Sequence, residues 1–521
     1  MHLHRGNFLF IIFTIASASL TAQSSGDTIF RSTTKLVQVS VVAQDVDGKP
    51  VGDLRHEDFQ LLDNGAPQEI RLFLSENAAP TPPTPTAPGT FTNRIAAADG
   101  SRGGYSVILF DNLNTGFEHT ARARLKALEA FQSIPQSDKI AMYSLWCQFQ
   151  VIREFTADRD SLLRQLHAFA PAAGAVCAAS VPEAEPLSAN RPPSMGDLID
   201  PVGATARARA AADAARIALL QADTITDREM MLIADHLAGI PGRKNLIWIA
   251  QKFPLSPAAL QRLVNAGVAI YPVDAVGSTI AIASEKEAHT APIRALARMT
   301  GGVAYVDRDD LDVAIRESLE DGHISYTLGF YPPEEPLGQE TKAGRTDGTP
   351  RPIPHQLSIR LNRPGITLRY RASYKVEPPK PVSASPVEDL VQALNRPVDA
   401  TAIALTASAA RKQDRLDLTV SFDLASLDLK LSGGLWKGAA EVVVRFMTPE
   451  GVWVGDLLSQ TVIFKLKPEN YSSMLLSGVT YQKELKIPAK AVELKLMVGN
   501  LASGKIGTLA IPLSAVDPAV R

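Results

Sequence analysis

The chain has 521 residues, of which 45% are hydrophobic and 21% are charged, and its formal net charge is −2. This balance is typical of soluble globular proteins and excludes a polytopic membrane protein or a mostly disordered chain. A net charge so close to zero excludes the basic footprint of a nucleic-acid-binding protein. The presence of only 2 cysteines excludes a disulfide scaffold and a cysteine-based zinc or iron–sulfur framework.

Residues 1–22 have the pattern of a signal peptide. Arg5 precedes the apolar run of residues 8–15, and small residues follow up to Ala22. This order predicts export with cleavage near Ala22, so we expect a periplasmic or secreted protein. The alternative is an N-terminal membrane anchor that is kept. No later stretch approaches the ~20 apolar residues of a membrane span, so none is expected after signal removal.

The next segment is predicted to be a small block of strands. Residues 30–76 form an N-terminal β block, in which Asp47-Gly48 and Asn64-Gly65 supply the turns. So short a block is expected to pack onto its neighbour. Residues 77–104 form a Pro-rich linker, because repeated prolines favour extended conformations without a core.

Residues 105–331 alternate apolar strands with amphipathic helices. This pattern predicts an α/β domain with a doubly wound, mostly parallel sheet. Residues 170–204, rich in Ala, Pro and Ser, interrupt the alternation as a surface insertion. The predicted strands are residues 105–110, 139–145, 245–250, 268–273, 303–306 and 324–330.

The remainder of the chain is predicted to be mostly β. Residues 332–375 read as a loop and a β-hairpin, 356–361 with 366–371, shared with the N-terminal block. Residues 376–397 form a second linker. Strands with alternating apolar positions in residues 398–521 predict a β-sandwich of immunoglobulin-like type.

The end of the first α/β strand is the best candidate for a binding site. Ligands of open α/β sheets lie beyond the carboxyl ends of the strands, and Asp111 ends the most apolar strand. Short polar residues follow it and supply oxygen atoms that suit a hard cation such as Mg²⁺. The alternative is that Asp111 is a turn or helix-cap residue.

Several motifs resemble those of von Willebrand factor A-type domains. The loop Asp111-Asn112-Leu113-Asn114-Thr115 is similar to the Asp-x-Ser-x-Ser metal loop of that family. Residues 241–248, Pro-Gly-Arg-Lys-Asn-Leu-Ile-Trp, and Asp63-Asn64-Gly65 resemble a group of secreted proteins known mainly from acidobacteria. The resemblance covers residues 31–375 and implies a von Willebrand A-like fold with a divalent cation at the carboxyl edge of its sheet.

The resemblance implies a metal site formed by Asp111, Thr115 and Thr226 that is weak or incomplete. Leu113 stands where the family has its first Ser, and it cannot ligate a metal. Gln251-Lys252 stands where the family usually has an Asp. Bound Mg²⁺ or Mn²⁺ would then depend on waters or on an acidic group from a partner.

Three alternatives to this metal site stay open. Thr226 also begins a capping-box pattern that ends at Glu229. Asp274, at the end of the next strand, either replaces the missing carboxylate or caps the segment that follows it. In the third alternative Lys252 neutralises Asp111 and leaves a metal-free surface that binds protein directly.

No catalytic motif is present in the sequence. It lacks His-Glu-x-x-His, Gly-x-Ser-x-Gly and the phosphate-binding loop, so we assign no catalytic residue and do not expect an enzyme. The favoured function is an extracytoplasmic protein-binding or adhesion protein that uses the carboxyl edge of the α/β sheet. The alternative is a secreted hydrolase, or another enzyme, with dispersed catalytic residues. The fold class alone decides neither.

The two cysteines are predicted to be bridged. Cys147 ends a predicted strand and Cys177 lies in the insertion, so a bridge would close a loop of 30 residues (177 − 147). An exported protein meets an oxidising compartment, where such bonds persist. The alternative is two unpaired thiols.

Overall fold

The structure is a computed structural model that describes residues 36–75, 89–95, 104–134, 139–146, 148–170, 201–278, 282–321, 324–332, 354–375, 393–500 and 502–516. Residues 1–22, Cys147 and Cys177 lie outside these ranges, so the signal peptide and the disulfide stay predictions. Within the described ranges, no helix is both long enough and apolar enough to cross a membrane.

A five-stranded sheet forms the centre of the α/β domain. Neighbours among its first four strands are parallel, and the last pair is antiparallel. The predicted α/β class with a mostly parallel sheet is therefore confirmed, with one antiparallel edge strand that the sequence analysis did not predict. The strand order is Val268–Asp274, Lys244–Ala250, Tyr105–Asp111, Lys139–Leu145, Phe149–Thr156.

Helices cover both faces of this sheet. In the central strand, Ile108 and Phe110 lie in one hydrophobic core, and Val107 and Leu109 lie in the other. This alternation follows from the period of two residues along a strand. The domain's helices are Phe117–Phe131, Arg159–Ala168, Pro201–Leu237, Pro257–Asn265, Ala283–Thr300 and Leu311–Glu320.

The strand Tyr326–Phe330 does not belong to this sheet, contrary to the prediction. It pairs antiparallel with Val37–Gln44 and with Leu72–Ser75, both in the N-terminal β block. The prediction failed because a short apolar run indicates a buried strand without indicating which sheet contains it. The N-terminal β block therefore contains a strand, Tyr326–Phe330, that the sequence analysis assigned to the α/β domain.

The predicted hairpin after the α/β domain is also corrected. Pro354–Leu361 pairs with Phe59–Asp63, whereas Thr367–Arg369 pairs with Val37–Gln44 in a different sheet. Both strands join the N-terminal block as predicted, but they do not pair with each other. Asn64 and Gly65, with φ of 48° and 82°, make the predicted tight turn between two paired strands.

One buried carboxylate ties the N-terminal block to the α/β domain. Asp321, at the end of a domain helix, accepts two hydrogen bonds of 2.5 Å from the guanidinium of Arg369. The hydroxyl of Tyr271, on the edge strand of the central sheet, donates to the same carboxylate across 3.1 Å. The short block is therefore fixed to its neighbour through a fork-shaped, charge-assisted contact.

The C-terminal region contains two antiparallel sheets that share one hydrophobic core. The strand Thr90–Thr92 pairs with Leu405–Lys412, so part of the predicted linker 77–104 supplies an edge strand to this sandwich. The immunoglobulin-like type stays a prediction. The other elements are the strands Arg415–Phe422, Lys430–Ser432, Leu435–Met447, Trp453–Leu466, Val479–Lys486, Glu493–Gly499 and Ile506–Pro512 and the helix Pro468–Ser477.

Polar contacts fix the sandwich to the α/β domain. Asp235, with 4% of its surface exposed, accepts a hydrogen bond of 2.6 Å from Arg396, just before the sandwich, and another of 2.6 Å from Arg262 of its own domain. Nearby, the Thr401 hydroxyl accepts a hydrogen bond from the backbone N–H of Gly239 at 2.7 Å. Only a glycine fits there, because a Cβ on residue 239 would lie 2.1 Å from the Thr401 carbonyl oxygen.

Candidate functional site

Asp111 lies at the carboxyl end of the central strand, and only 1% of its surface is exposed. Its Oδ1 accepts hydrogen bonds from the backbone N–H groups of Leu113 (3.1 Å) and Asn114 (3.0 Å). Its Oδ2 accepts from the side-chain amide of Asn114 (2.8 Å) and from the indole N–H of Trp248 (2.9 Å). The carboxylate therefore organises the loop that follows it.

Burial has the largest effect on the pKa of the Asp111 carboxyl group, and it raises that pKa. Desolvation raises the pKa of Asp111 from 3.8 to about 6, although the donors from Asn114, Trp248 and Leu113 lower it. These four donors are neutral, so they stabilise the charge without cancelling it. Asp111 is therefore ionised at neutral pH and protonated in mildly acidic solution.

The structure brings Thr226 next to Asp111 through one side chain. The Asn114 amide nitrogen lies 2.8 Å from Asp111 Oδ2 and 2.9 Å from Thr226 Oγ1. Thr226 is fully buried inside the helix Pro201–Leu237, and its hydroxyl donates to the carbonyl oxygen of Ala222 at 2.9 Å. The capping-box alternative is wrong, because Thr226 lies in the helix interior and not at its start.

The other residues of the predicted metal loop have different roles. The Thr115 hydroxyl is buried and has no hydrogen-bond partner among the described residues. Leu113 packs against one of the two cores of the domain, so its side chain fills space that a Ser would leave open. Gln251 accepts a hydrogen bond of 2.5 Å from the backbone N–H of Gly116 and holds the far end of the loop.

Lys252 does not neutralise Asp111. Its side chain is exposed, and it is not among the donors to the Asp111 carboxylate. Its charge acts instead on Asp223, whose pKa it lowers against the larger effects of burial and of Asp227. The third alternative, in which Lys252 neutralises Asp111, is therefore wrong. Neutral N–H groups stabilise the Asp111 carboxylate instead.

Asp274 takes the capping role that the sequence left open. It is 2% exposed, and its Oδ1 accepts a hydrogen bond of 3.0 Å from the backbone N–H of Val276. Its Oδ2 lies 2.8 Å from Nε2 of His289, a partner that no sequence pattern indicated. Asp274 therefore does not supply a second carboxylate to Asp111.

The residues around Asp111 do not fit a divalent cation as they are arranged. Both carboxylate oxygens already accept two hydrogen bonds each, and the Asn114 amide fills the space between the carboxylate and the Thr226 hydroxyl. A metal needs oxygen atoms with free lone pairs, and in this loop the buried oxygens without a described hydrogen-bond partner are the Thr115 hydroxyl and the Asn112 amide oxygen, neither of which is a carboxylate. In the described part of the chain, no group of three or more His, Cys, Asp or Glu residues could hold a metal.

The Pro-Gly-Arg-Lys-Asn-Leu-Ile-Trp motif contributes mainly to structure. Arg243 is buried at the opposite end of its strand and donates to the Tyr271 hydroxyl (2.8 Å) and to the Gly301 carbonyl (2.7 Å). Asn245 donates to the carbonyl of Ser318 at 2.9 Å. Only the last residue of the motif, Trp248, reaches the candidate site.

No protein-family model matches the chain, and no curated protein matches its sequence. Among solved structures, it is similar to an aerotolerance-related membrane protein from Bacteroides fragilis, at 11% identity and a TM-score of 0.25, over 42% of this chain and 98% of that chain. The conserved hypothetical protein BatB from Bacteroides thetaiotaomicron matches at 12% identity and a TM-score of 0.25, over 42% and 97%. The manganese-loaded TRAP protein from Plasmodium vivax matches at 10% identity and a TM-score of 0.23, over 59% and 99%. TM-scores this low carry no conclusion about this chain.

Proposed function

We propose that the chain is an extracytoplasmic protein-binding or adhesion protein with a von Willebrand A-like domain. Its ligand is a protein that binds the carboxyl edge of the central sheet at the loop of residues 112–117. The observation that carries this proposal is an exposed aromatic side chain at the end of that loop. Phe117 exposes 53% of its surface. Aromatic side chains are enriched at the centres of protein interfaces, where they act as anchors.

The loop is held in place before any ligand arrives. Asp111 binds its first backbone N–H groups, at Leu113 and Asn114, and Gln251 binds the N–H of Gly116. A preordered loop loses little conformational entropy on binding, so more of the contact energy contributes to affinity. This support favours a specific binding surface over a merely exposed turn.

Metal binding is proposed to be secondary at this edge. The Mg²⁺ or Mn²⁺ site predicted at Asp111, Thr115 and Thr226 offers a cation at most weak contact, because the Asp111 carboxylate already accepts four hydrogen bonds. Export with cleavage near Ala22 is part of the same proposal and places the protein in the periplasm or outside the cell.

The chain is proposed not to be an enzyme, and the alternative is a secreted hydrolase with dispersed catalytic residues. The C-terminal sandwich is a spacer or a second interaction module. The contacts of Asp235 with Arg396 and of Gly239 with Thr401 support a fixed rather than a swinging spacer.

The test uses the mature full-length chain immobilised on beads and exposed to envelope extract. Phe117→Ser is compared with Leu125→Ser, because Leu125 lies on the same helix and is 55% exposed. We expect Phe117→Ser to lose a captured protein that wild type and Leu125→Ser retain. Equal capture by both variants contradicts the proposal. Turnover in a broad substrate screen that is lost with Asp111→Ala supports the hydrolase.

A further inference from the structure

The Asn114 amide lies between two oxygen atoms that both require a hydrogen-bond donor. Ionised Asp111 can only accept hydrogen bonds. Thr226 has committed its hydroxyl hydrogen to the Ala222 carbonyl oxygen, so its Oγ1 can only accept from Asn114. The amide is therefore oriented with its NH₂ group inward, and both of its hydrogens are used.

Trp248 completes the set of donors from the other side. Its indole is fully buried on the neighbouring strand Lys244–Ala250, and its N–H points to the Asp111 oxygen that also accepts from the Asn114 amide. With the two backbone N–H groups of Leu113 and Asn114, the carboxylate accepts four hydrogen bonds. A carboxylate offers about four lone-pair sites, so none is left for a metal.

We propose that the Asn114 amide takes the place of a divalent cation at this edge. The arrangement of the loop around Asp111 therefore does not depend on a bound cation. The inward NH₂ group stabilises the buried Asp111 charge and links it to Thr226, the two tasks that a bound cation would perform with these oxygens. Removing the amide frees a lone pair on each of the two oxygens and opens the space between them. A variant without the amide then binds a cation more tightly than wild type does. This proposal depends on the geometry at Asp111 and not on the identity of any protein ligand.

The experiment titrates mature full-length protein with Mn²⁺ alone in an isothermal calorimeter. Asn114→Ser removes the amide, and Leu113→Ser restores the hydroxyl missing from the loop, in single and double variants. Asn112→Ser is the matched control, because Asn112 is on the same loop but donates to Ser144 instead of Asp111. Thermal unfolding of each variant checks that it is folded.

We expect Asn114→Ser to tighten Mn²⁺ binding by about tenfold or more, roughly the effect of one hydrogen bond of ordinary strength. The same gain is expected when Leu113→Ser/Asn114→Ser is compared with Leu113→Ser. Adding Asp111→Ala must abolish the gain. The proposal is overturned if the Asn114 change brings no gain in either background, if Asn112→Ser brings the same gain, or if the gain survives Asp111→Ala. A failed search for a protein ligand leaves this result unaffected.

Discussion

The indole N–H of Trp248 donates a hydrogen bond of 2.9 Å to Oδ2 of Asp111, which lies 137 positions earlier in the chain. Both side chains are buried, so this bond links two neighbouring parallel strands at the edge that we propose as the binding surface. The relationship explains why a buried aspartate without a cationic partner is tolerated: neutral donors surround it.

Trp248→Phe is expected to lower the free energy of unfolding, because it leaves a buried charge with one donor fewer. The loss should be about 1–3 kcal/mol from the hydrogen bond, with a further packing cost. Urea denaturation at pH 7 measures it. Trp453→Phe is the matched control, because its indole donates to exposed Asn395 and should cost much less. Equal losses in the two variants would argue against a special role for the Trp248 bond.

The stability of the protein should depend on pH through Asp111. Its folded pKa of about 6 exceeds the value of 3.8 that it has in the unfolded chain, so the folded state binds the proton more tightly. This contribution is fully present below about pH 4 and is lost as the pH rises through 6. The difference of about 2 units corresponds to a loss of up to about 3 kcal/mol.

The measurement for this pH effect is urea denaturation of wild type and Asp111→Ala between pH 4 and pH 7. The difference in free energy of unfolding between them isolates Asp111 from the other carboxylates. We expect wild type to lose stability relative to the variant as the pH rises. A constant difference across this range contradicts the raised pKa.

Gly239→Ala should loosen the sandwich from the α/β domain. The added Cβ would lie 2.1 Å from the Thr401 carbonyl oxygen, so the two segments must move apart. Overpacking of this kind costs about 1–3 kcal/mol. Urea denaturation measures the cost, and limited proteolysis should show faster cleavage between residues 376 and 397. Unchanged unfolding and cleavage would show that the contact is not tight in solution.

Cys147 and Cys177 are expected to form a disulfide in the exported protein. Closing a loop of 30 residues (177 − 147) stabilises the folded state by roughly 3–4 kcal/mol in chain-entropy models. Mass spectrometry after alkylation under denaturing, non-reducing conditions counts the thiols. Two alkylated cysteines in the exported protein would exclude the bridge.

The sequence predicted the four parallel strands of the central sheet, because they are continuous apolar runs. It did not predict the edge strand Phe149–Thr156, and the predicted strand 303–306 is wrong, since only Tyr305 forms a single bridge to Val273 there. It misplaced Tyr326–Phe330 and missed the edge strand Thr90–Thr92, since pairing between strands far apart in sequence leaves no local pattern. Such pairings depend on which surfaces meet in three dimensions.

The candidate site was predicted in part. The end of the first α/β strand indicated Asp111, and the family resemblance indicated Thr226; the structure places both against the Asn114 amide. Asn114 was not singled out, because its role depends on a helix more than 100 residues away. Trp248 lies in the predicted strand 245–250 and is a core residue, but nothing in the local sequence indicates the direction of its N–H.

The central claim is that the loop at the carboxyl edge contacts a protein ligand, and site-specific photo-crosslinking tests it most directly. A photoreactive amino acid is placed at position 117 of the mature protein, and separately at position 125, both exposed positions on one helix. After irradiation in envelope extract, we expect a discrete crosslinked protein at position 117 and none at position 125. Identical crosslinking patterns at the two positions, or no crosslink at either, would contradict the claim.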